Sequence, residues 1–110
     1  MALATTTLVR TRATIAAAGT SVAPGTVIPD NCVAITWLSR EAAGGDTIFI
    51  SQGAAGGAIA DNGAQITLAP GAALTLLVGT LAQRIDSLQD LIYDCNANAA
   101  NCDIIYRCRA

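Results

Sequence analysis

The chain has 110 residues, a formal net charge of −2, and six arginines but neither lysine nor histidine. This length corresponds to one domain. Without lysine or histidine the chain has no P-loop lysine, no Schiff-base amine and no imidazole base, and a mildly acidic chain with dispersed arginines is not typical of a nucleic-acid-binding protein.

The first 20 residues are rich in alanine and threonine and show neither a helical stripe nor a long alternation. Threonine favours extended backbone, so residues 1–20 are predicted to form an extended N-terminal arm or edge strand, followed by a sandwich domain over 21–110. An ordered arm implies contact with a neighbouring molecule. The predicted contacts are Leu3, Leu8 and Val9 as apolar anchors and Arg10 and Arg12 as polar groups.

From residue 24 onward, turn-forming residues recur about every ten residues, which is typical of a β-sandwich or barrel. Proline and glycine pairs at Pro24-Gly25 and Pro70-Gly71 predict tight turns, and the second turn is predicted to close a hairpin. The predicted strands are Val27–Ile28, Cys32–Leu38, Thr47–Ile50, Gln65–Ala69, Ala73–Val78 and Cys102–Arg109.

The segment 81–91 is the one place where the pattern favours a short helix, because Leu81, Ile85, Leu88 and Ile92 recur at helical spacing. Leu91–Tyr93 is predicted to lead into a strand. In the last predicted strand Cys102, Ile104, Tyr106 and Cys108 share one face. The opposite face is predicted to be wet and holds Asp103, Ile105, Arg107 and Arg109.

The four cysteines lack the close pairs and the histidines of a zinc site. Cys102 and Cys108 on one strand would lie about 20 Å apart, so they cannot pair with each other. Two pairings stay open: Cys95 with Cys102 and Cys32 with Cys108, or Cys32 with Cys102 and Cys95 with Cys108. Buried free thiols are the third option.

No residue pattern indicates catalytic, cofactor-binding or metal-binding chemistry. Asp86 and Asp90 would share a helix face, but nothing nearby would separate their pKa values, so a solvated face explains them. Asp61-Asn62-Gly63 lacks the alternating acids and the closing glutamate of a calcium loop. Trp37 lies in an apolar strand and is predicted to belong to the core. We therefore predict a protein that is not an enzyme and needs no cofactor.

The order of elements from Val27 to the C-terminus resembles that of small phage virion proteins of the β-sandwich or jelly-roll type. The elements that carry the resemblance are the strand after Ile28-Pro29, the Thr47–Ile50 strand, a glycine-rich loop, the Leu68–Leu74 segment around Pro70-Gly71, and Leu91–Tyr93. The resemblance implies binding to a capsid or tail surface, with no enzymatic activity and no cofactor.

The core of this chain is thin, because 23 of its residues are alanine, and alanine buries little apolar area. Such a chain is expected to gain stability from disulfides, from oligomerisation or from docking onto a larger assembly. The longest apolar run, Ala72–Val78, is far shorter than the roughly 20 residues that a membrane span needs.

Taken with the resemblance, these features predict an all-β protein with a single antiparallel β-sandwich or jelly roll. We expect it to decorate or cement a phage capsid at the virion surface after assembly in the host cytoplasm. The expected partners are the major capsid protein or other virion subunits, with a homo-oligomer, a trimer by preference, or many copies on a shell; nucleic acid and membrane are not expected. The alternative is a carbohydrate- or receptor-binding β-sandwich module on a viral fibre or cell surface.

Overall fold

The structure is a computed structural model and describes residues 6–24, 31–59, 63–77 and 91–109. Within this part the chain is all-β, which confirms the predicted fold class. Seven strands are present there: β1 (Thr6–Ile15), β2 (Cys32–Ser39), β3 (Ile48–Gln52), β4 (Ile66–Leu68), β5 (Ala73–Leu77), β6 (Leu91–Cys95) and β7 (Ala100–Arg109).

The strands form two antiparallel sheets that pack as a sandwich. The four-stranded sheet has the order β1-β7-β2-β5, and the three-stranded sheet has the order β4-β3-β6. β7 is a central strand because β1 and β2 pair with its two edges. The C-terminal strand therefore joins the N-terminal strand to the rest of its sheet.

The core lies between the two sheets and is built around Trp37 and Tyr93, each 1% exposed. Trp37 on β2 donates its indole N–H to the Tyr93 hydroxyl on β6 over 2.8 Å. This confirms the prediction that Trp37 is a core residue. Isoleucines and cysteines fill the space around this pair: Ile15, Cys32, Ile35, Ile48, Ile50, Cys102, Ile104 and Cys108.

The N-terminal segment is an integral part of the sandwich from residue 6 onward. β1 pairs with β7 along its whole length, from Thr6 opposite Arg109 to Ile15 opposite Ala100. Ala13 and Ile15 are buried in the core. The described part of the predicted arm is thus an edge strand, and deleting it would remove core side chains.

The alternation predicted for the last strand is confirmed on its apolar side, where Cys102, Ile104, Tyr106 and Cys108 are all buried. On the other side the prediction of a wet face is wrong at Asp103, which is only 1% exposed. Arginine side chains from neighbouring strands cover its carboxylate. The period-2 pattern gives the direction of a side chain but not what lies over it.

The hairpin predicted around Pro70-Gly71 is wrong. The turn itself is present: the Ala72 N–H donates to the Ala69 carbonyl over 2.9 Å, and Gly71 has a φ of 76°. However, β4 pairs with β3 in one sheet and β5 pairs with β2 in the other. A tight turn reverses the chain, but the strands that follow it pair wherever their side chains are best buried.

Several predictions fall wholly or partly on residues outside the described part. These are the Leu3 contact, the turn at Pro24-Gly25, the Val27–Ile28 strand, the Asp61-Asn62 segment, and the helix over 81–91 with Asp86 and Asp90, apart from its last residue. Leu91 is the first residue of β6. The predicted strand at Leu91–Tyr93 is therefore confirmed.

Candidate functional site

Five of the six arginines of this chain lie on the outer face of the four-stranded sheet. Arg10 and Arg12 occupy alternate positions of β1, Arg107 and Arg109 occupy alternate positions of β7, and Arg40 directly follows β2. Alternate residues of a strand point to the same side of a sheet, and the other side of these strands is buried in the core. We call this outer surface, with its five arginines, the arginine face.

The strand register distributes these arginines in successive rows. Arg109 lies opposite Thr6, Arg107 opposite Leu8, Arg10 opposite Ile105, and Arg12 opposite Asp103. Arg40 lies in the next row, beside Asn101, because its backbone N–H donates to the Asn101 carbonyl over 3.0 Å. Rows on one face are two residues, or about 7 Å, apart, so the five arginines extend over roughly 27 Å.

Three of the arginines converge on the carboxylate of Asp103. Arg12 Nε lies 2.7 Å from Oδ1, Arg40 Nε lies 3.4 Å from Oδ2, and Arg10 Nη1 lies 3.8 Å from Oδ2. The hydrogen bond from Arg12 is the main reason why the pKa of Asp103 is lower than that of an ordinary aspartate. A single carboxylate thus hydrogen-bonds one guanidinium group and forms longer ion pairs with two others, while it neutralises only one positive charge.

Arg107 and Arg109 continue the series without an acidic partner among the described residues. Both are exposed. Glu41 lies at the far end of the face, where its carboxylate accepts a hydrogen bond from the Asn101 N–H over 3.3 Å. Among the described residues the arginine face therefore carries five arginines against the carboxylates of Asp103 and Glu41, although the whole chain is acidic.

Apolar and threonine side chains fill the positions between the arginines. Leu8 and Leu77 are 70% and 72% exposed at the two edges of the same row. Thr36 and Thr75 form a hydrogen bond between their hydroxyls over 2.8 Å on the same face. The arginine face is thus a mixed surface of guanidinium, methyl and hydroxyl groups rather than a purely charged one.

The residues predicted as partner contacts do not all lie on the arginine face. Leu8, Arg10 and Arg12 lie on the arginine face, whereas Val9 points to the other side of β1, opposite Tyr106. Sequence reasoning placed Arg107 and Arg109 together on the outer face of the last strand, and both are exposed. It missed that Arg40 and the pair Arg10 and Arg12 belong to the same surface. The alternate spacing of Arg107 and Arg109 repeats that of Arg10 and Arg12, and this was the signal that could have joined the two pairs.

The four cysteines are buried and form no disulfide with one another. Cys32 lies directly opposite Cys108, whereas Cys102 lies opposite Ser39 at the other end of β2. The pair Cys32–Cys108 lies beside the hydrogen bond from the Arg109 N–H to the Asn31 carbonyl and next to a register shift between Cys32 and Ala34. Of the two predicted partners of Cys32, the register therefore brings Cys108 close.

Burial makes two of these thiols unreactive. It raises the pKa of Cys102 to about 12 and, with help from the nearby carboxylate of Asp46, that of Cys95 to about 12. A thiol is nucleophilic only as its thiolate, so neither group is suited to catalysis at neutral pH.

The buried carboxylate of Asp94 lies beside an open depression lined in part by Phe49 and Ile59. It accepts backbone N–H bonds from Gly19, Ile59 and Cys95 over 2.8 to 3.0 Å. These bonds tie two loops to β6 and leave little capacity for a ligand. Elsewhere in the described ranges, no group of three or more acids and cysteines is close enough to hold a metal ion.

The described part of the chain contains no helix that is long and apolar enough to cross a membrane. Comparison with protein-family models, with curated proteins and with solved structures found no match to this chain. The resemblance to phage virion proteins therefore stays a prediction, and the arginine face is the feature on which a functional proposal can be built.

Proposed function

We propose that this protein decorates or cements a phage capsid by binding neighbouring capsid subunits, with the major capsid protein as its main partner. The observation that carries this proposal is the arginine face, an open sheet surface that combines arginines with two strongly exposed leucines, Leu8 and Leu77. Arginine is enriched in protein interfaces, where its planar group makes several hydrogen bonds at once.

A single face of a four-stranded sheet offers only a modest contact area. A modest contact suits a protein that is present in many copies on one shell. Each copy that bridges subunits adds one weak contact, and many such contacts together stabilise the shell through multivalency. Assembly in the reducing host cytoplasm is also compatible with four cysteines that form no disulfide with one another. The expected form is a trimer or an array of copies on the capsid surface.

Phage particles produced by cells that carry this gene provide the test. After purification they should contain the chain in a fixed ratio to the major capsid protein. Particles made without the gene should take up the purified chain and should then resist heating better. If intact particles lack the chain and do not bind it when it is added, the proposal is wrong.

The alternative of a carbohydrate- or receptor-binding module receives less support. Sugar-binding sites on such modules use exposed aromatic rings, but all four aromatic residues of this chain are buried, at 6% exposure or less: Trp37, Phe49, Tyr93 and Tyr106. A glycan array with the purified chain would distinguish the two functions.

A further inference from the structure

We infer that the arginine face is the docking surface of this protein and that its occupant is an acidic protein surface on the shell. This inference deepens the proposed function and rests on it for the identity of the particle. It is carried by charge complementarity, because the face holds five arginines against Asp103 and Glu41 in a chain whose net charge is −2.

The arrangement of the arginines is prepared for binding. Asp103 hydrogen-bonds Arg12 and forms ion pairs with Arg10 and Arg40 before a partner arrives, so less side-chain freedom is lost, above all by Arg12, when they bind carboxylates. Arg107 and Arg109 are exposed at the other end of the series and lack an acid among the described residues. Both ends of the face therefore favour a negatively charged partner. At one end the arginines around Asp103 are already arranged, and at the other end Arg107 and Arg109 have no acidic partner within the part of the chain that the structure describes.

The composition of the face favours a protein over a nucleic acid. Binding of single strands without sequence preference relies on exposed aromatic rings that stack on bases, and the aromatic rings of this chain are buried in or beside the core. Leu8 and Leu77 instead offer aliphatic surface, which protein interfaces bury at their centre. A second copy placed face to face is disfavoured because it would bring two sets of arginines together.

The variants that test this inference avoid the arginines that cover Asp103, because removing those would leave a buried charge unpaired. Arg107→Ala removes one positive charge from the exposed end of the face, and Arg107→Glu reverses it. Gln65→Glu is the matched control: it changes the net charge by the same amount as Arg107→Ala, but at an exposed position next to β4 in the other sheet. Thermal unfolding should show that all three variants fold.

Binding of the full chain is then measured on two probes. The first is the capsid shell made without the gene, and the second is poly-L-glutamate, with oligothymidylate at equal charge concentration as its comparison. On both acidic probes we expect Arg107→Glu to lose about tenfold or more in affinity, Arg107→Ala to lose several-fold, and Gln65→Glu to stay within about twofold. Binding to poly-L-glutamate should weaken as salt rises.

The two probes separate the failure of this inference from that of the proposed function. If shells bind the wild type and Arg107→Glu equally well, the docking surface is wrong while the capsid function stands. If the shells fail to bind the chain while its binding to poly-L-glutamate still depends on Arg107, the inference of an acidic partner stands and the proposed capsid function is wrong. Tighter binding of oligothymidylate than of poly-L-glutamate would overturn the inference and assign the face to nucleic acid.

Discussion

Trp37 Nε1 lies 2.8 Å from the hydroxyl oxygen of Tyr93, and this hydrogen bond joins the two sheets in the middle of the core. Both side chains are almost completely buried, so neither group could bind water if the bond were lost. Burial also raises the pKa of Tyr93, which keeps its hydroxyl neutral over the physiological range. In a core with few large side chains, this pair is the main polar link between the sheets.

Replacing Tyr93 with phenylalanine should therefore lower the free energy of unfolding by about 1–3 kcal/mol, because the indole N–H loses its acceptor. Urea unfolding followed by the fluorescence of Trp37, the single tryptophan, measures this loss. Tyr106→Phe is the control, since the Tyr106 hydroxyl forms no hydrogen bond with the described residues, and it should cost less than about 0.5 kcal/mol. Equal losses in the two variants would contradict the role of the Trp37–Tyr93 bond.

The salt bridges of Asp103 should make the protein sensitive to acid. The pKa of Asp103 lies below its ordinary value, mainly because of Arg12, so its contribution to stability is fully present above about pH 4 and is lost as pH falls through the lower folded-state pKa. Asp103→Asn should cost about 1.5–3 kcal/mol at neutral pH, by loss of a charge-assisted hydrogen bond. Its stability should also fall less steeply below pH 4 than that of the wild type.

Urea unfolding between pH 7 and pH 2 checks this expectation. Part of the acid sensitivity should persist in Asp103→Asn, because the pKa of Asp46 is also lowered, in this case by the N–H of Asn98 at 2.7 Å. Asp46→Asn provides the comparison. An Asp103→Asn variant whose stability follows the wild-type curve at every pH would show that the three arginines do not depend on this carboxylate.

Oxidation should link Cys32 to Cys108 rather than to Cys102, since Cys108 is its direct neighbour across β2 and β7. Residues directly opposite each other on antiparallel strands have Cα atoms roughly 4.5 to 5.5 Å apart, which lies within the range that disulfides span. Both thiols are buried, so the bond should form on refolding in oxidised glutathione and only slowly in the folded protein. Peptide mapping without reductant identifies the linkage.

The Cys32→Ser variant is the control for that experiment and should lack the linked peptide. If the bond forms, it should raise the free energy of unfolding by about 2–4 kcal/mol. A map in which Cys32 is joined to Cys102 would contradict the register of β2 and β7.

The parts of this fold that were predictable from sequence are those that depend on local patterns. The alternation over Cys102–Cys108 predicted correctly which side of β7 faces the core, and the residues around Trp37 predicted a central strand. The turn at Pro70-Gly71 was also predictable, because its two residues meet the backbone requirements of a reversal. The sheet that β5 joins was not predictable, because β5 pairs with β2, which lies far away along the chain.

The arginine face was hidden from sequence reasoning for the same reason. Arg12 and Asp103 are 91 positions apart and become neighbours only through the register of β1 with β7. The sequence therefore showed two pairs of alternating arginines but not that they share one surface, and Asp103 gave no sign that it would be buried. Charge patterns along a chain predict a surface only when the charged residues belong to one strand or helix.

The turn between β4 and β5 gives a last expectation. Gly71 has a φ of 76°, a conformation that favours glycine, and it lies third in the turn that begins at Ala69. An added Cβ would lie 3.7 Å from the Glu41 carbonyl, an ordinary contact, so the cost of Gly71→Ala comes from the backbone and should be about 1 kcal/mol. Gly57→Ala is the control, because Gly57 has no such φ and its Cβ would meet no atom within 4 Å. In thermal unfolding, the melting temperature of Gly71→Ala should be lower than that of the wild type, and that of Gly57→Ala should be unchanged. Equal melting temperatures of the two variants would show that the turn from β4 in one sheet to β5 in the other does not need a residue with positive φ.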